Sequence, residues 1–269
     1  MSEYASYVIC STPRSGSTLL CEMLAATGVS GHPNSYFRQQ SIADWADGWG
    51  VERTNGTEDA QFDRLYLAAM LREANNDTGV FGLRLMWRSA ADATRRLVRA
   101  NGGPMDLAAQ FLAAFSPTLY IHLSRLDKVA QAISLVRAEQ SGLWHLAADG
   151  SVFEGTATPL PNVYDGPRIG EVFNELTRDD AAWEDFFRSH DIQPVRLVYE
   201  AMALDPQAAL AIILAALGRD PAIAVGISVG TTKMSNRTSR DWSDRFRSEN
   251  GSVSGPTHPA PGAHFKGAG

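Results

Sequence analysis

One stretch near the start of the chain decides the fold, and it reads Tyr7-Val-Ile-Cys-Ser-Thr-Pro-Arg-Ser-Gly-Ser-Thr-Leu-Leu20. Its apolar opening, Tyr7 to Cys10, is typical of a strand that is buried on both faces. Its apolar end continues through Met23 and Leu24 with the spacing of one helix face. The small residues at 11–18 therefore predict a tight loop that leads from a buried strand into the start of a helix.

This loop has the composition of an anion-binding site. A helix start offers unpaired backbone N–H groups and the positive end of the helix dipole. Gly16 lets a ligand approach the backbone, and Arg14 adds a planar charged fork that suits phosphate or sulfate oxygens. Hydroxyl donors come from Ser15, Ser17 and Thr18. A flexible turn with a helix cap is the simpler alternative, but the strand, the arginine and the amphipathic helix together favour anion binding.

The loop differs at one position from that of the nucleotide hydrolases. In those proteins Gly-Lys-Ser/Thr opens the helix, with the Lys on the phosphates and the hydroxyl on Mg²⁺. Here Ser17 stands where that Lys would be. The six His and two Cys also show no metal-ligand spacing. We therefore expect a cradle for a phosphate-like group that works without a metal.

Composition limits the partners and the compartment. At 269 residues with a net charge of −6, the chain is not suited to broad nucleic-acid binding. Cys10 and Cys21 fall on the predicted strand and helix, which indicates buried thiols in a reducing compartment. The longest apolar run, Ala208 to Leu217, is too short to cross a bilayer. We expect a cytoplasmic protein with no transmembrane segment; its oligomeric state, a homodimer included, is left open.

Strands and helices alternate along the chain, which predicts an α/β fold with a P-loop-type parallel sheet flanked by helices. We expect one domain over residues 1–250, with an insertion at about 142–170 that is either a lid or disordered, and a flexible tail over 251–269. The predicted strands after the first are 80–87, 118–123 and 194–199, and the predicted helices are 61–75, 92–101, 105–115, 128–140, 171–190 and 205–218.

Charged and aromatic residues outside the loop allow two interpretations each. Arg84 lies inside a predicted buried strand, so it faces either a ligand or a structural carboxylate. Arg125 follows the third strand, at the edge where parallel sheets bind ligands, or it is an ion-pair partner. The basic segment 233–247 is either a solvated face or a lid that closes on an anion. Trp45 and Trp49 line a cleft or, as we favour, pack over the core.

At this point the residues resemble a known family. The Ser-Thr-Pro-Arg-Ser-Gly-Ser-Thr-Leu-Leu loop is similar to the 5′-phosphosulfate loop of sulfotransferases that use PAPS (3′-phosphoadenosine-5′-phosphosulfate). Ser124-Arg125 followed by Ser134 is similar to their 3′-phosphate site. More narrowly, the chain resembles the bacterial trehalose 2-sulfotransferase (Stf0-type) group over nearly its whole length. Further matching stretches are Ala26–Gly31, Leu85–Trp87, Ile121–Arg125, Val129–Ser134, Arg137-Ala138 and Ala216–Pro221.

The resemblance implies roles for particular positions. Arg125 and Ser134 would hold the 3′-phosphate, and Lys233 and Arg237 fall in the C-terminal segment that such enzymes place near the nucleotide. PAPS would be the co-substrate and PAP the product, with no metal. The residues implied for the phosphosulfate are Pro13, Arg14, Ser15, Gly16, Ser17 and Thr18.

One position departs from the group's pattern. The loop after the first helix reads Gly-x-Pro-x-Glu-aromatic-Phe in the group, and its Glu is the proposed general base. Here the loop is Gly31-His-Pro-Asn-Ser-Tyr-Phe37, so Ser35 takes the position of the Glu. A serine without activation accepts no proton at neutral pH, whereas His32 on the same loop does. His32 is the replacement base that the sequence offers, and an ordinary surface histidine is the alternative.

The sequence therefore predicts a sulfotransferase that moves a sulfuryl group from PAPS to a hydroxyl of a small carbohydrate-like or other metabolite. Arg14 and the loop N–H groups would stabilise charge on the bridging oxygen and the sulfuryl group. Two alternatives remain: a protein that binds PAP or PAPS without transfer, because the Glu is missing, and a P-loop kinase. The absent Lys counts against the kinase.

Overall fold

The computed structural model describes residues 4–53, 58–146, 151–156, 158, 160–228 and 237–251. Strands and helices alternate through most of this range. The strands are β1 (Ser6–Ser11), β2 (Phe81–Met86), β3 (Thr118–Ser124), β4 (Leu143–Leu146), β5 (Val152–Gly155) and β6 (Val195–Val198). The helices are α1 (Ser17–Ala26), α2 (Ile42–Gly48), α3 (Asp59–Asn75), α4 (Trp87–Asn101), α5 (Leu107–Phe115), α6 (Lys128–Ser141), α7 (Gly166–Ser189), α8 (Tyr199–Leu204), α9 (Pro206–Ala216) and α10 (Arg237–Asn250).

The central sheet has four strands in the order β2-β1-β3-β6, and all its pairings are parallel. The strand of the decisive stretch, β1, is an interior strand between β2 and β3. In its register Ser11 lies opposite Met86 of β2 and Leu123 of β3. The carboxyl ends of three strands therefore meet at one edge, directly below the loop that follows β1. The predicted α/β class with a parallel sheet is confirmed.

Both faces of the sheet are covered, which explains the continuous apolar run in β1. Successive strand residues point to opposite faces. Val8 and Cys10 belong to a buried cluster with α3, α4, α5 and α7. Tyr7 and Ile9 belong to a second cluster with α1 and α9. The sheet is thus a middle layer that fixes where the loop after β1 and the start of α1 stand.

The segment 142–170 has more regular structure than the sequence predicts. Its described part holds the antiparallel pair β4–β5, in which Leu143 lies opposite Gly155 and Leu146 opposite Val152, with register shifts between them. Short, bulged strands leave no regular apolar alternation, so the sequence pattern misses them. Helix α7 begins at Gly166, ahead of the predicted Glu171, because the Asp165 side chain accepts a hydrogen bond from the Arg168 N–H at 2.9 Å.

The start of one more helix differs from the prediction, and the predicted packing of two tryptophans is supported. Helix α4 starts at Trp87, directly after β2, so its first turn carries polar residues that hide the apolar period. Trp45 lies in α2 and stacks on Trp49 with 5.3 Å between ring centroids, and both rings contact Tyr36. These contacts support the packing role. Within the described ranges no helix is both long and apolar enough to cross a membrane.

Candidate active site

The loop between β1 and α1 is shaped by Gly16. Gly16 adopts φ of 84°, in the left-handed region, and stands directly before α1. A Cβ there would lie 2.7 Å from Cδ2 of Tyr199 and 2.8 Å from Cε of Met202, both on α8. Glycine is therefore required by the backbone conformation and by the packing. The helix start that follows has the geometry in which backbone N–H groups bind an anion.

Ser15 has a structural place in this loop. Its side chain is fully buried, and its Oγ lies 2.5 Å from Oγ of Ser11 at the end of β1. Ser11 in turn donates to the carbonyl of Leu123 on β3 at 3.1 Å. The Ser15 hydroxyl thus ties the loop to the sheet, and only Ser17 and Thr18 of the predicted hydroxyl donors line the cavity.

Arg14 joins three elements at this site. Its Nε donates a hydrogen bond to Oγ of Ser134 on α6 at 3.0 Å. Its Nη1 donates to the carbonyl of Trp144 at 2.5 Å and lies 3.0 Å from Nε2 of His145, both on β4. The structure therefore brings Arg14 and Ser134, which the family resemblance would assign to opposite ends of one ligand, into direct contact.

Arg125 follows β3 and lies against the same loop. Its Nη1 donates to the Arg14 carbonyl at 3.1 Å, and its guanidinium stands 4.5 Å from the ring centroid of Tyr199. Burial lowers the pKa of Arg125. In the described part of the chain its Nε is buried without a hydrogen-bond partner, and no carboxylate forms an ion pair with it. A half-buried guanidinium that forms no ion pair among the described residues favours the ligand interpretation over the structural one.

A buried polar network holds the loop after β1 and the residue after β3, Arg125. Lys128 pairs with Asp180 of α7, and its Nζ also donates to the Arg125 carbonyl at 2.6 Å and to Oε1 of Gln131 at 3.1 Å. Gln131 donates to the Pro13 carbonyl at 2.7 Å. One ion pair between α6 and α7 thus holds the loop after β1 and the residue after β3 in fixed positions.

Arg84 extends from β2 to the opposite side of the loop. Its Nε donates to Oγ of Ser35 at 2.7 Å, and its Nη1 donates to Oγ1 of Thr18 at 2.7 Å. Among the residues described, no carboxylate lies within ion-pair distance of it. Of the two interpretations open from the sequence, the structure favours the one in which Arg84 faces a ligand.

A cavity of about 340 Å³ lies between these groups. The loop, the end of β2, the starts of α1 and α4, α6 and the strand β4 form its wall. The predicted site residues that line it are Pro13, Arg14, Gly16, Ser17, Thr18, Ser35 and Arg84. Arg125 and Ser134 adjoin it through their bonds to Arg14.

Other predicted residues are not brought to this cavity. His32 is exposed; its N–H donates to the Ala74 carbonyl at 2.7 Å, and its own carbonyl accepts from the Tyr36 hydroxyl. Ala74 lies in the last turn of α3, which leads to the amino end of β2, so His32 stands near the edge of the sheet opposite the cavity. The Arg237 side chain is 90% exposed. Lys233 lies outside the described residues.

The sequence analysis did not identify several residues of the cavity wall or of the buried network next to it. Trp144 and His145 lie in a segment without periodicity, and Asp92 and Glu139 occupy helix positions that look solvated. Lys128 and Asp180 are separated by 52 positions, so no local pattern joins them. Only the position of Lys128, just after the strand edge at Arg125, signalled a relation to the site.

Within the described ranges, no group of three or more His, Cys, Asp or Glu side chains is arranged to hold a metal ion. The polar groups of the cavity are instead dominated by arginine and hydroxyl donors. Donors of this kind suit oxyanions, because guanidinium groups pair with the planar edges of phosphate and sulfate.

Comparison with known proteins shows what this chain is similar to. The chain is 27% identical over 261 residues to trehalose 2-sulfotransferase of Mycobacterium tuberculosis, with 90% of this chain and 94% of the relative covered. It is 28% identical over 267 residues to the enzyme of the same name from Mycolicibacterium smegmatis, with the same coverage. The solved sulfotransferase domain of the Synechococcus PCC 7002 olefin synthase superposes with a TM-score of 0.43 at 17% identity, over 90% of this chain and 93% of that one.

The profile of the Stf0 sulphotransferase family matches residues 6–249, from the first residue of β1 to the end of α10. This range contains every described residue of the site. The enzyme class predicted from the sequence, a sulfotransferase, is confirmed at this level. The chain belongs to the Stf0 sulphotransferase family.

Proposed function

We propose that this enzyme transfers a sulfuryl group from PAPS to a hydroxyl of a small carbohydrate-like metabolite. The observation that supports it most is the contact of Arg14 with both Ser134 and Arg125. Because of these contacts, the loop that would bind the 5′-phosphosulfate and the two residues that would bind the 3′-phosphate adjoin one cavity. A nucleotide with anions at both ends explains why these residues converge, whereas ATP has no group for Arg125 and Ser134.

The residues fit such a donor. The unpartnered Nε of Arg125 needs an acceptor, and a 3′-phosphate supplies one together with a negative charge. The start of α1, with the hydroxyls of Ser17 and Thr18, suits the 5′-phosphosulfate. Bound PAPS would supply the activated sulfuryl group. Arg14 would leave its present partners, Ser134 and the Trp144 carbonyl, to contact the oxyanions.

The arginines supply the electrostatics of the transfer. When the bond between sulfur and the bridging oxygen breaks, negative charge grows on that oxygen. Arg14, which contacts Ser134 on α6, and Arg84, which extends from β2 to Thr18, would neutralise this charge. Ser35 accepts a hydrogen bond from Arg84, so its hydroxyl is set to orient the acceptor. None of these roles needs a metal, and we propose a metal-independent reaction.

The wall beyond the loop suits a polyhydroxylated acceptor. Trp144 offers an aromatic surface, and Gln39, Gln40, Asp92 and Glu139 offer planar polar groups for hydroxyls. The two curated relatives are named for sulfation of trehalose, so trehalose is the first acceptor to try. Cys10 and Cys21 are buried free thiols, which supports a cytoplasmic enzyme.

A protein that binds PAPS without transfer is the second candidate, and Ser35 in place of a glutamate is the observation that favours it. Mass spectrometry separates the two. Incubation with PAPS and a pool of hydroxylated metabolites that includes trehalose should yield PAP and one sulfated product. Bound PAPS that stays intact with every acceptor would support the binding protein. A need for ATP in place of PAPS would support a kinase.

A further inference from the structure

The proposed transfer needs a proton acceptor, and the following inference rests on that proposed function. As the acceptor hydroxyl attacks sulfur, its proton must pass to a base. Ser35 stands where the group has a glutamate, and its Oγ already accepts a hydrogen bond from Arg84 at 2.7 Å. A hydroxyl beside a guanidinium takes no proton at neutral pH. The base must be sought elsewhere on the cavity wall.

The carboxylates near the cavity are engaged or stand outside it. Asp92 pairs with Arg95, and Glu139 lies 3.2 Å from the Arg168 guanidinium. Glu22 lies one helical turn beyond Thr18, and burial raises its pKa, but it does not line the cavity. His32 is exposed near the far edge of the sheet. Of these four groups only Asp92 and Glu139 line the cavity, and an arginine already pairs with each of them.

His145 does line the cavity, and its geometry fixes its protonation. Nε2 of His145 lies 3.0 Å from Nη1 of Arg14. A guanidinium in a protein stays protonated and only donates, so Nε2 is the acceptor in this bond. The ring proton is then on Nδ1, and Nε2 carries a lone pair. The strand β4 therefore holds an imidazole in its basic form beside the arginine that would contact the sulfuryl group.

We propose that His145 is the general base of this enzyme. In this structure an N–H of Arg14 contacts Nε2. When that N–H turns to the anion of the donor, the lone pair of Nε2 would accept the proton of the acceptor hydroxyl. The acceptor oxygen forms a bond to sulfur while the bond from sulfur to the bridging phosphate oxygen breaks. The products are the sulfate ester, PAP, which keeps the electron pair of the broken bond, and an imidazolium that returns its proton to water.

The same contact links binding to catalysis. Arg14 contacts His145 and the Trp144 carbonyl, and an anion of the donor would compete for the same N–H groups. Donor binding thus exposes the base when a sulfuryl group is present. Other charged groups on the wall are Arg38, Arg84, Arg88, Asp92 and Glu139.

The test compares three histidine variants. His145→Gln keeps a hydrogen-bonding side chain but removes the basic nitrogen. His32→Gln tests the base expected from the sequence. His190→Gln is the matched control, because His190 caps α7 and lies 3.2 Å from Asp106, remote from the cavity. Each variant is measured for melting temperature, for PAP affinity by calorimetry, and for sulfuryl transfer from labelled PAPS to trehalose or to the acceptor pool.

We expect His145→Gln to reduce transfer by about 10²- to 10⁴-fold while PAP affinity stays within about twofold. In the parent, kcat/KM should rise with pH as an imidazole loses its proton, and this rise should be absent from the variant. Loss of transfer in His32→Gln with His145→Gln unaffected would overturn the assignment.

A second readout needs no acceptor. In ¹⁵N spectra of the imidazoles, His145 is assigned by the signals that vanish in His145→Gln. We expect the Nδ1–H tautomer in the free protein and a change in the Nε2 signal when PAP is added, with His190 unchanged. A protonated Nε2 at pH 8, or no change on PAP binding, would contradict the inference even if transfer is never detected. Failure of PAP to bind the parent would instead reject the proposed function.

Discussion

Arg14 and Ser134 are 120 positions apart in the chain, and Nε of Arg14 donates a hydrogen bond to Oγ of Ser134 at 3.0 Å. This contact joins the loop after β1 to the helix after β3. It also means that a ligand for either residue must compete with the other. A donor with an anion at each end would replace the hydrogen bond between Arg14 and Ser134 by one contact to each residue. We therefore expect both residues to select the same nucleotide.

Arg125 gives the first prediction. Arg125→Ala should weaken PAP binding by about 10- to 100-fold, because it removes a charge-assisted hydrogen bond worth roughly 1.5–3 kcal/mol. Calorimetry on parent and variant measures this. Arg219→Ala is the matched control: Arg219 also donates to a backbone carbonyl, that of Thr78 at 3.0 Å, and also has a buried Nε. Equal losses in the two variants would show that Arg125 acts only through the fold.

Metal independence gives the second prediction. Addition of Mg²⁺ or EDTA should leave PAP affinity and sulfuryl transfer unchanged, because arginines and hydroxyls supply the positive and donor groups and Ser17 replaces the P-loop Lys. Binding and transfer are measured in buffer treated with chelating resin, with and without Mg²⁺. A strict requirement for the cation in either assay would move the enzyme toward the kinases.

The buried pair of Lys128 with Asp180 gives the third. Asp180→Asn leaves a buried ammonium without its counter-charge, so unfolding should become easier by about 3–5 kcal/mol. It should also weaken PAP binding, by roughly tenfold or 1.4 kcal/mol, because Lys128 holds the Arg125 carbonyl. Asp63→Asn is the control: it removes a comparably buried carboxylate, which pairs with the more exposed Arg96 and Arg99 and does not line the cavity. Thermal unfolding should show that both variants are less stable than the parent, and calorimetry should show weaker PAP binding only in Asp180→Asn.

Glu184 gives a pH-dependent prediction. A hydrogen bond from His122, with another from Arg196, lowers the pKa of Glu184 from 4.5 to about 2. A lowered folded-state pKa contributes stability that is present above the unfolded value and is lost as pH falls toward 2. A shift of one pKa unit corresponds to about 1.36 kcal/mol. Solvent screens part of this interaction because the Glu184 side chain is 30% exposed, so we expect Glu184 to stabilise the folded protein by about 1–2 kcal/mol at pH 7.

Denaturant unfolding at pH 7 and pH 3 measures this contribution. Glu184→Gln should destabilise the protein at pH 7 and should destabilise it less at pH 3, where part of this contribution is already lost. Asp185→Asn is the control, because Asp185 is exposed and pairs only with Arg188 among the described residues. The same loss in both variants at both pH values would contradict the assigned role of Glu184.

The sequence predicts those parts of the fold and of the site whose contacts join residues close together in the chain. The strand, loop and helix over Tyr7–Leu24 follow from local periodicity and small residues, and the structure confirms them. Arg84 also stands out locally, as a charge in a buried strand. The sequence could not decide whether Arg84 met a carboxylate, because its partners, Thr18 and Ser35, are 66 and 49 positions away.

The rest of the site depends on the tertiary fold. The composition of the loop predicts Ser15 as a ligand donor, yet its hydroxyl is hydrogen-bonded to that of Ser11 at the end of β1. His32 and Ser35 are three positions apart on one loop, but the chain there runs alongside β2, with Asn34 bridged to Leu83, so only Ser35 reaches the cavity. His145 comes from a bulged strand that carries no periodic signal. Its neighbour, Arg14, is 131 positions away.

The most direct test of the central claim is a calorimetric titration with PAP and with AMP under the same conditions. The two nucleotides differ only in the 3′-phosphate that Arg125 and Ser134 would bind. PAP should bind at least about tenfold tighter than AMP, as one charge-assisted hydrogen bond requires. Arg125→Ala should remove most of this difference. Equal affinities of the parent for PAP and AMP would contradict a 3′-phosphate site at Arg125 and Ser134.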